Sequence, residues 1–190
     1  MANKTKFELS VFYNDLVAFL TSLNPAEYDY EKNFQNELEQ LLSGKYEEKA
    51  EVKTIPLERN RKFSCIDIVV KINDQYIPIE LKFRKEESSI ADYDKDYVDD
   101  ILRIRTLMCS FDDIPMGIAI CLTNNVLLKM ACDLLVYAYN SMQHLYGERK
   151  MGIDWKVLQD NEFACGMAGW YWAGPKSPQS NKSFAEYWNR

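Results

Sequence analysis

The chain contains one histidine, His144, and its five cysteines (Cys65, Cys109, Cys121, Cys132, Cys165) never form a C-x-x-C pair. A zinc site of imidazole and thiolate ligands is therefore set aside, and any metal must be held by oxygens. The scattered cysteines, lying in apolar segments, read as buried thiols. No G-x-x-x-x-G-K-[ST] or G-x-G-x-x-G string occurs, so a nucleotide cofactor has no support. The N-terminus lacks an apolar core followed by a small-residue cleavage site, and no apolar stretch approaches the length of a membrane span. No membrane association and a cytoplasmic location are the resulting expectations. Repeats and low-complexity segments are missing too. An excess of positive charge is also lacking: 23 Lys and Arg stand against 29 Asp and Glu, a net charge of −6. That balance weighs against strong nonspecific affinity for a polyanion, which comes from Lys and Arg at phosphates. Local basic clusters do exist, at Arg59, Arg61 and Lys62 and at Lys82, Arg84 and Lys85.

What is present suits one folded domain over residues 1–190, with 47% hydrophobic and 13% aromatic residues. Phe12, Leu16, Phe19, Leu20 and Leu23 recur at helical spacing until Asn24-Pro25 stops them, and Phe34, Leu38, Leu41 and Leu42 repeat the pattern up to Gly44. "AEVKTIPL" alternates as a first strand, and "SCIDIVVKINDQYIPIELKF", residues 64–83, reads as two more joined by a polar turn. A helical pattern follows from about Asp92 to Ser110. "MGIAICLT" is a short apolar run, as expected of a strand covered on both faces. Another helical pattern runs from Asn124 or Asn125 to Gly147. All four tryptophans lie in a mixed tail, where "FACGMAGWYW" suits a last strand or hairpin. The predicted fold is α/β: a mixed central sheet flanked by helices, with N-terminal helices and an aromatic-rich C-terminal tail.

The hairpin carries three charges inside its strand pattern, Asp67, Glu80 and Lys82. A two-residue turn at Asn73-Asp74 sets the register symmetrically about itself. Val70 then faces Ile77, Ile68 faces Ile79, Ile66 faces Leu81, and Asp67 lies opposite Glu80. One face is wholly apolar; the other holds Asp67, Glu80 and Lys82. Two carboxylates roughly 5 Å apart repel by roughly 3 kcal/mol at an effective dielectric of 20. Lys82, two residues along the strand, helps without filling the gap. A hard divalent cation such as Mg²⁺ fits better, because it favours carboxylate oxygens.

Asp67 followed by Glu80-x-Lys82 on the next strand resembles the motif of the PD-(D/E)XK nuclease superfamily, the restriction endonuclease-like fold. The order of helices and strands agrees with that fold from about residue 30 to residue 125, and "CLTNN" is similar to a Leu-Thr-Asn ending in uncharacterised bacterial members. The resemblance implies metal-dependent hydrolysis of phosphodiester bonds, most naturally in DNA. Asp67 and Glu80, with the Leu81 carbonyl, would hold Mg²⁺, with Mn²⁺ as a substitute. Glu37, bordering the apolar stripe of the second helix, would supply the superfamily's helix-borne acid, and Lys82 would orient the attacking water. A homodimer would suit double-strand cleavage.

Ile66 stands where the proline of the motif's name would be, and no Gln-x-x-x-Tyr element follows Lys82; Tyr93 and Tyr97 keep the spacing without the glutamine. Pro78 removes a ladder donor from a strand that the fold places centrally, which predicts a bend or bulge beside the site. Two alternatives stay open. One is a catalytically inert nuclease-fold protein that binds a partner through this acidic surface. The other is a plain α/β protein with no such ancestry, in which Glu37 lies far from Asp67. "DYDKDYVDD" resembles the start of an EF-hand loop, but Tyr97 stands where glycine is needed and Arg103 where the bidentate Glu belongs. An acidic helix start is the better reading; within it Asp99 or Asp100 could face the site, with a solvated face as the preferred expectation. Trp170, Tyr171 and Trp172 read as core aromatics rather than a base-stacking platform.

Overall fold

The computed structural model describes residues 2–54, 64–84, 100, 103–104, 106–108, 110–124, 149–157, 164–172 and 183–190. The helix expected over 125–147, His144, Asp99, Tyr93, Tyr97 and the basic cluster at Arg59, Arg61 and Lys62 lie outside the described residues. The same holds for Lys85, Cys109 and Cys132.

Helix α1 (Ala2–Ser22) is followed by a 3₁₀ turn (Pro25–Glu27) and by α2 (Glu31–Ser43). Pro25, with its fixed φ and missing N–H, begins the 3₁₀ turn that separates the two helices. α2 stops at Gly44 with φ −66°, so the glycine ends the helix without using a left-handed conformation. The stripes read from the sequence are the buried ones: Phe12, Leu16, Leu20 and Leu23 on α1, and Phe34, Leu38 and Leu42 on α2. They pack on Ile68, Val70, Ile77, Ile79, Leu81 and Phe83 of the sheet, forming the first of two apolar clusters. Truncating a fully buried aromatic such as Phe12 to alanine costs about 3–5 kcal/mol.

The strands are β1 (Glu47–Thr54), β2 (Ser64–Ile72), β3 (Gln75–Arg84), β4 (Gly117–Thr123), β5 (Arg149–Val157) and β6 (Ala164–Trp172). They form one sheet in the order β1-β2-β3-β4-β6-β5. The β3–β4 pair is parallel and the other pairs are antiparallel, so the expected mixed α/β architecture is present. β4 is buried along its whole length, as its unbroken apolar run requires. β1 begins earlier than the alternation of "AEVKTIPL" suggested, and residues 55–57 of that stretch lie outside the described residues. β6 falls on "FACGMAGWYW", whereas β5 was hidden in the mixed tail.

A second apolar cluster covers the opposite face. Val52, Ile66, Val69, Tyr76, Ala119 and Cys121 of the sheet meet Ile104, Leu107, Met108, Phe111 and Ile114 together with Phe184, Tyr187 and Trp188. The last three come from a C-terminal helical turn (Ala185–Trp188) and the residue before it. Asp113 anchors this turn, accepting the Phe184 amide at 2.8 Å and the Ser183 hydroxyl at 2.5 Å. Gly117 lets Ile104 approach β4 closely: a Cβ at that position would stand 2.5 Å from Ile104 Cγ2.

The β2–β3 hairpin has the register read from its turn. Ile72 pairs with Gln75, Val70 with Ile77 and Ile68 with Ile79. Asn73 and Asp74 have φ of 49° and 59°, the paired positive values of a type I′ turn. The ladder ends at Ile68–Ile79, so the expected pairs Asp67–Glu80 and Ile66–Leu81 are not part of it. In β1 the same level is marked by Glu51, whose φ is 52°. Beyond that level the faces exchange: Ile66 and Val52 lie in the second cluster, although Ile68 lies in the first. The wholly apolar face expected of the hairpin is therefore corrected at Ile66.

Pro78 needs no bulge. Its pair with Val69 is an ordinary rung. The Leu81 amide points towards β2 and the Tyr76 amide towards Asp113, so by alternation residue 78 would aim its amide at the β4 side. The parallel ladder with β4 begins only at Ile79–Ile118, and the missing donor faces no rung.

Candidate functional site

The site lies where β2 leaves β3. The Asp67 backbone carbonyl accepts a bond from Gln35 Nε2 of α2 at 3.1 Å. Its carboxylate takes the place of the lost ladder partner: Oδ2 accepts the Leu81 amide at 2.7 Å. One step further along the edge, Glu31 of α2 accepts the Phe83 amide at 3.1 Å. Two acidic side chains thus cap the stretch of β3 that β2 has abandoned. Because a strand residue sends its N–H and C=O to the same side, the Leu81 carbonyl also faces the gap that holds Asp67.

Glu80 and Lys82 project to the face covered by the second cluster. Glu80 is 2% exposed, and its Oε1 accepts a bond from Arg103 Nη1 at 3.0 Å. Arg103 also reaches the Cys65 carbonyl at 3.2 Å and Asp100 Oδ1 at 3.5 Å. Lys82 Nζ lies 3.3 Å from Asp100 Oδ2 and 4.0 Å from Glu31 Oε1. The result is a partly buried network of alternating charge: Glu31, Lys82, Asp100, Arg103, Glu80, with Asp67 beside it.

Burial and neighbouring charge set the protonation of these groups. Burial, reinforced by the Asp67 charge, holds the Glu80 carboxyl well above the usual range even with Arg103 on it. Burial pushes Asp100 up to about 6, against the pull of Lys82 and Arg103. For Lys82 burial acts the other way, but Asp100, Glu31 and Asp67 outweigh it and keep the ammonium charged. Arg103 is held cationic in the same manner by Glu80 and Asp100.

The structure thus brings Asp67, Glu80, Lys82 and the Leu81 backbone to one place. Glu37 is directed elsewhere: its carboxylate accepts the Tyr28 hydroxyl, and the Tyr28 ring packs against Phe34 and Phe83. The α2 groups that touch the network are Glu31 and Gln35, one helical turn apart. Glu31 lies three residues before Phe34 and Gln35 three before Leu38, a spacing that aligns both with the buried stripe. Asp100, expected on a solvated face, is 3% exposed, and Arg103 was read only as a mismatch to a calcium loop. The available signal was Asp100, Arg103, Ile104 and Leu107 at i, i+3, i+4 and i+7, which places both charges on an apolar stripe.

The donor chemistry of Asp67 and Glu80 suits a hard cation, but their arrangement does not present one with a ready cage. Among the described residues no group of three or more His, Cys, Asp and Glu side chains is set to hold a metal ion. Glu80 instead has a guanidinium on it, and one Asp67 oxygen is engaged by the Leu81 amide. Among the described residues no helix is long and apolar enough to cross a membrane. Comparison with protein-family models, curated proteins and solved structures finds no match.

Proposed function

We propose that this charged network hydrolyses phosphodiester bonds, most naturally in DNA, and that the chain is a nuclease of the PD-(D/E)XK type with a restriction endonuclease-like core. The observation that carries the reading is the gathering of Asp67, Glu80 and Lys82 where β2 parts from β3, in a hairpin whose turn-proximal register is the one read from Asn73-Asp74. The Leu81 carbonyl faces the same gap. Lys82 stays charged, so it would orient an attacking water and offset charge gathering on the phosphate oxygens. Asp67 and Glu80 are the carboxylates Mg²⁺ or Mn²⁺ would use. Such an ion, when bound, would polarise the phosphoryl oxygen and ease deprotonation of water. Glu31 and Asp100 would position the Lys82 ammonium.

The second reading, an inert protein of the same fold that binds a partner, is favoured by the guanidinium of Arg103 on Glu80, which satisfies that carboxylate without a metal. Incubating the protein with supercoiled plasmid separates the two. The nuclease reading expects relaxation or linearisation in Mg²⁺ or Mn²⁺, abolished by EDTA and by Lys82→Ala. Plasmid left intact by wild-type protein in both metals, with linear DNA and RNA also uncut, contradicts it.

A further inference from the structure

We propose that the outer edge of β5 receives a second copy of this chain, β5 pairing antiparallel with β5 about a two-fold axis at Gly152. The interface does not depend on the phosphodiesterase reading, and its test is independent of cleavage.

The sheet ends at β1 on one side and at β5 on the other, and the two edges differ. Along β1, Glu47, Lys49, Glu51 and Lys53 are exposed charges, Glu51 has a left-handed φ of 52°, and Lys49 donates to the Trp188 carbonyl of the C-terminal turn. Charge, a backbone irregularity and a covering segment are the ordinary defences of an edge strand. β5 has an unbroken ladder instead: every residue from Arg149 to Val157 pairs in register with β6. Alternate residues of an antiparallel strand send their N–H and C=O to opposite sides, so half of the β5 backbone groups are directed away from β6. Among the described residues no strand pairs with that side.

The β5 sequence is self-complementary in one register. Two copies of a strand can pair antiparallel only about a two-fold axis normal to the sheet, so each contact is made twice and facing residues share a face. With Gly152 on the axis, Met151 faces Ile153, Lys150 faces Asp154 and Arg149 faces Trp155. Moving the axis to Ile153 sets Lys150 against Lys156, and moving it to Met151 leaves Lys150 opposite Gly152. Opposite charges at facing positions stabilise a strand pair and like charges destabilise it, so the Gly152 register is selected. A glycine inside a strand also suits the close approach of another backbone, and Gly152 already faces Gly169 of β6. One sheet would then run through both copies.

The test is analytical ultracentrifugation of the full chain at low salt, from micromolar to near-millimolar concentration. It compares wild type, Lys150→Asp, Asp154→Lys and an equimolar mixture of the two variants, each checked for folding by circular dichroism. Wild type is expected to show a concentration-dependent dimer. Either substitution sets like charges together at both symmetry-related contacts and is expected to weaken the dimer roughly tenfold or more. In the mixture, a pair of unlike variants has opposite charges at both contacts again, and dimer is expected to return. Wild type monomeric at every concentration, a dimer equally tight in both variants, or no recovery in the mixture overturns the interface. Should a variant not fold, hydrogen exchange of wild type decides: protection of residues 149–157 is expected to rise with concentration, and protection independent of concentration overturns the proposal.

Discussion

The Leu81 amide donates to Asp67 Oδ2 at 2.7 Å, so a side chain of β2 completes the edge of β3 where the backbone ladder has ended. The same carboxylate is therefore both a structural cap and a proposed metal ligand, and the two roles separate by substitution. Asp67→Ala leaves a strand amide without its acceptor and is expected to lose about 1–3 kcal/mol in urea unfolding. Asp67→Asn can still accept that bond, so it is expected to keep most of the stability while losing Mn²⁺ binding and cleavage.

Arg103 and Glu80 form the buried ion pair of the network, and removing one partner strands the other. Arg103→Met is expected to destabilise the fold by about 3 kcal/mol at pH 7.5, because Glu80 must then lose its countercharge or take up a proton. Adding Glu80→Gln to it should recover much of that loss. A double-mutant cycle in urea measures this, and a coupling of about 2 kcal/mol is expected for residues in direct contact.

Asp100 makes stability depend on pH in a defined direction. Its carboxyl is pushed from 3.8 up to about 6 in the fold, so between those values the folded chain keeps a proton the unfolded chain has released. Stability from this group is therefore full below pH 4, falls as the pH rises to 6, and stays lost above it. Asp100→Asn removes the ionisation. It is expected to match wild type at pH 4 and to exceed it by about 2 kcal/mol at pH 7.5, read from denaturant midpoints at the two pH values.

Glu31 and Glu37 are distinguished by their partners. Glu31 caps Phe83 and lies 4.0 Å from Lys82, whereas Glu37 bonds Tyr28. Glu31→Gln is expected to lower cleavage by about tenfold, the usual cost of losing a supporting group. Glu37→Gln is expected to leave the cleavage rate close to wild type and to show a modest loss of thermal stability. Initial rates on a labelled duplex compare the two.

The turn-proximal register of the hairpin was legible because Asn73-Asp74 admits few turn geometries, and the sides of α1, α2 and β4 followed from apolar spacing. The site was legible as far as Asp67, Glu80 and Lys82, whose charges interrupt that spacing. What escaped was tertiary. The face exchange at Ile66 coincides with the left-handed backbone of Glu51 and with the Gln35 bond to the Asp67 carbonyl, neither of which leaves a local pattern. Glu37 was preferred for its place between Phe34 and Leu41, but Leu38 and Leu42 define the buried line, and that line leads back to Glu31 and Gln35. Asp100 was named as able to face the site but set on a solvated face, and Arg103 was passed over, because charges on a helix are ordinarily solvated.

The most direct test of the central claim is anomalous diffraction from crystals soaked in Mn²⁺. The account predicts a peak about 2.1–2.2 Å from carboxylate oxygens of both Asp67 and Glu80, the distance typical of a small hard cation. Density free of any such peak at millimolar Mn²⁺ would contradict it.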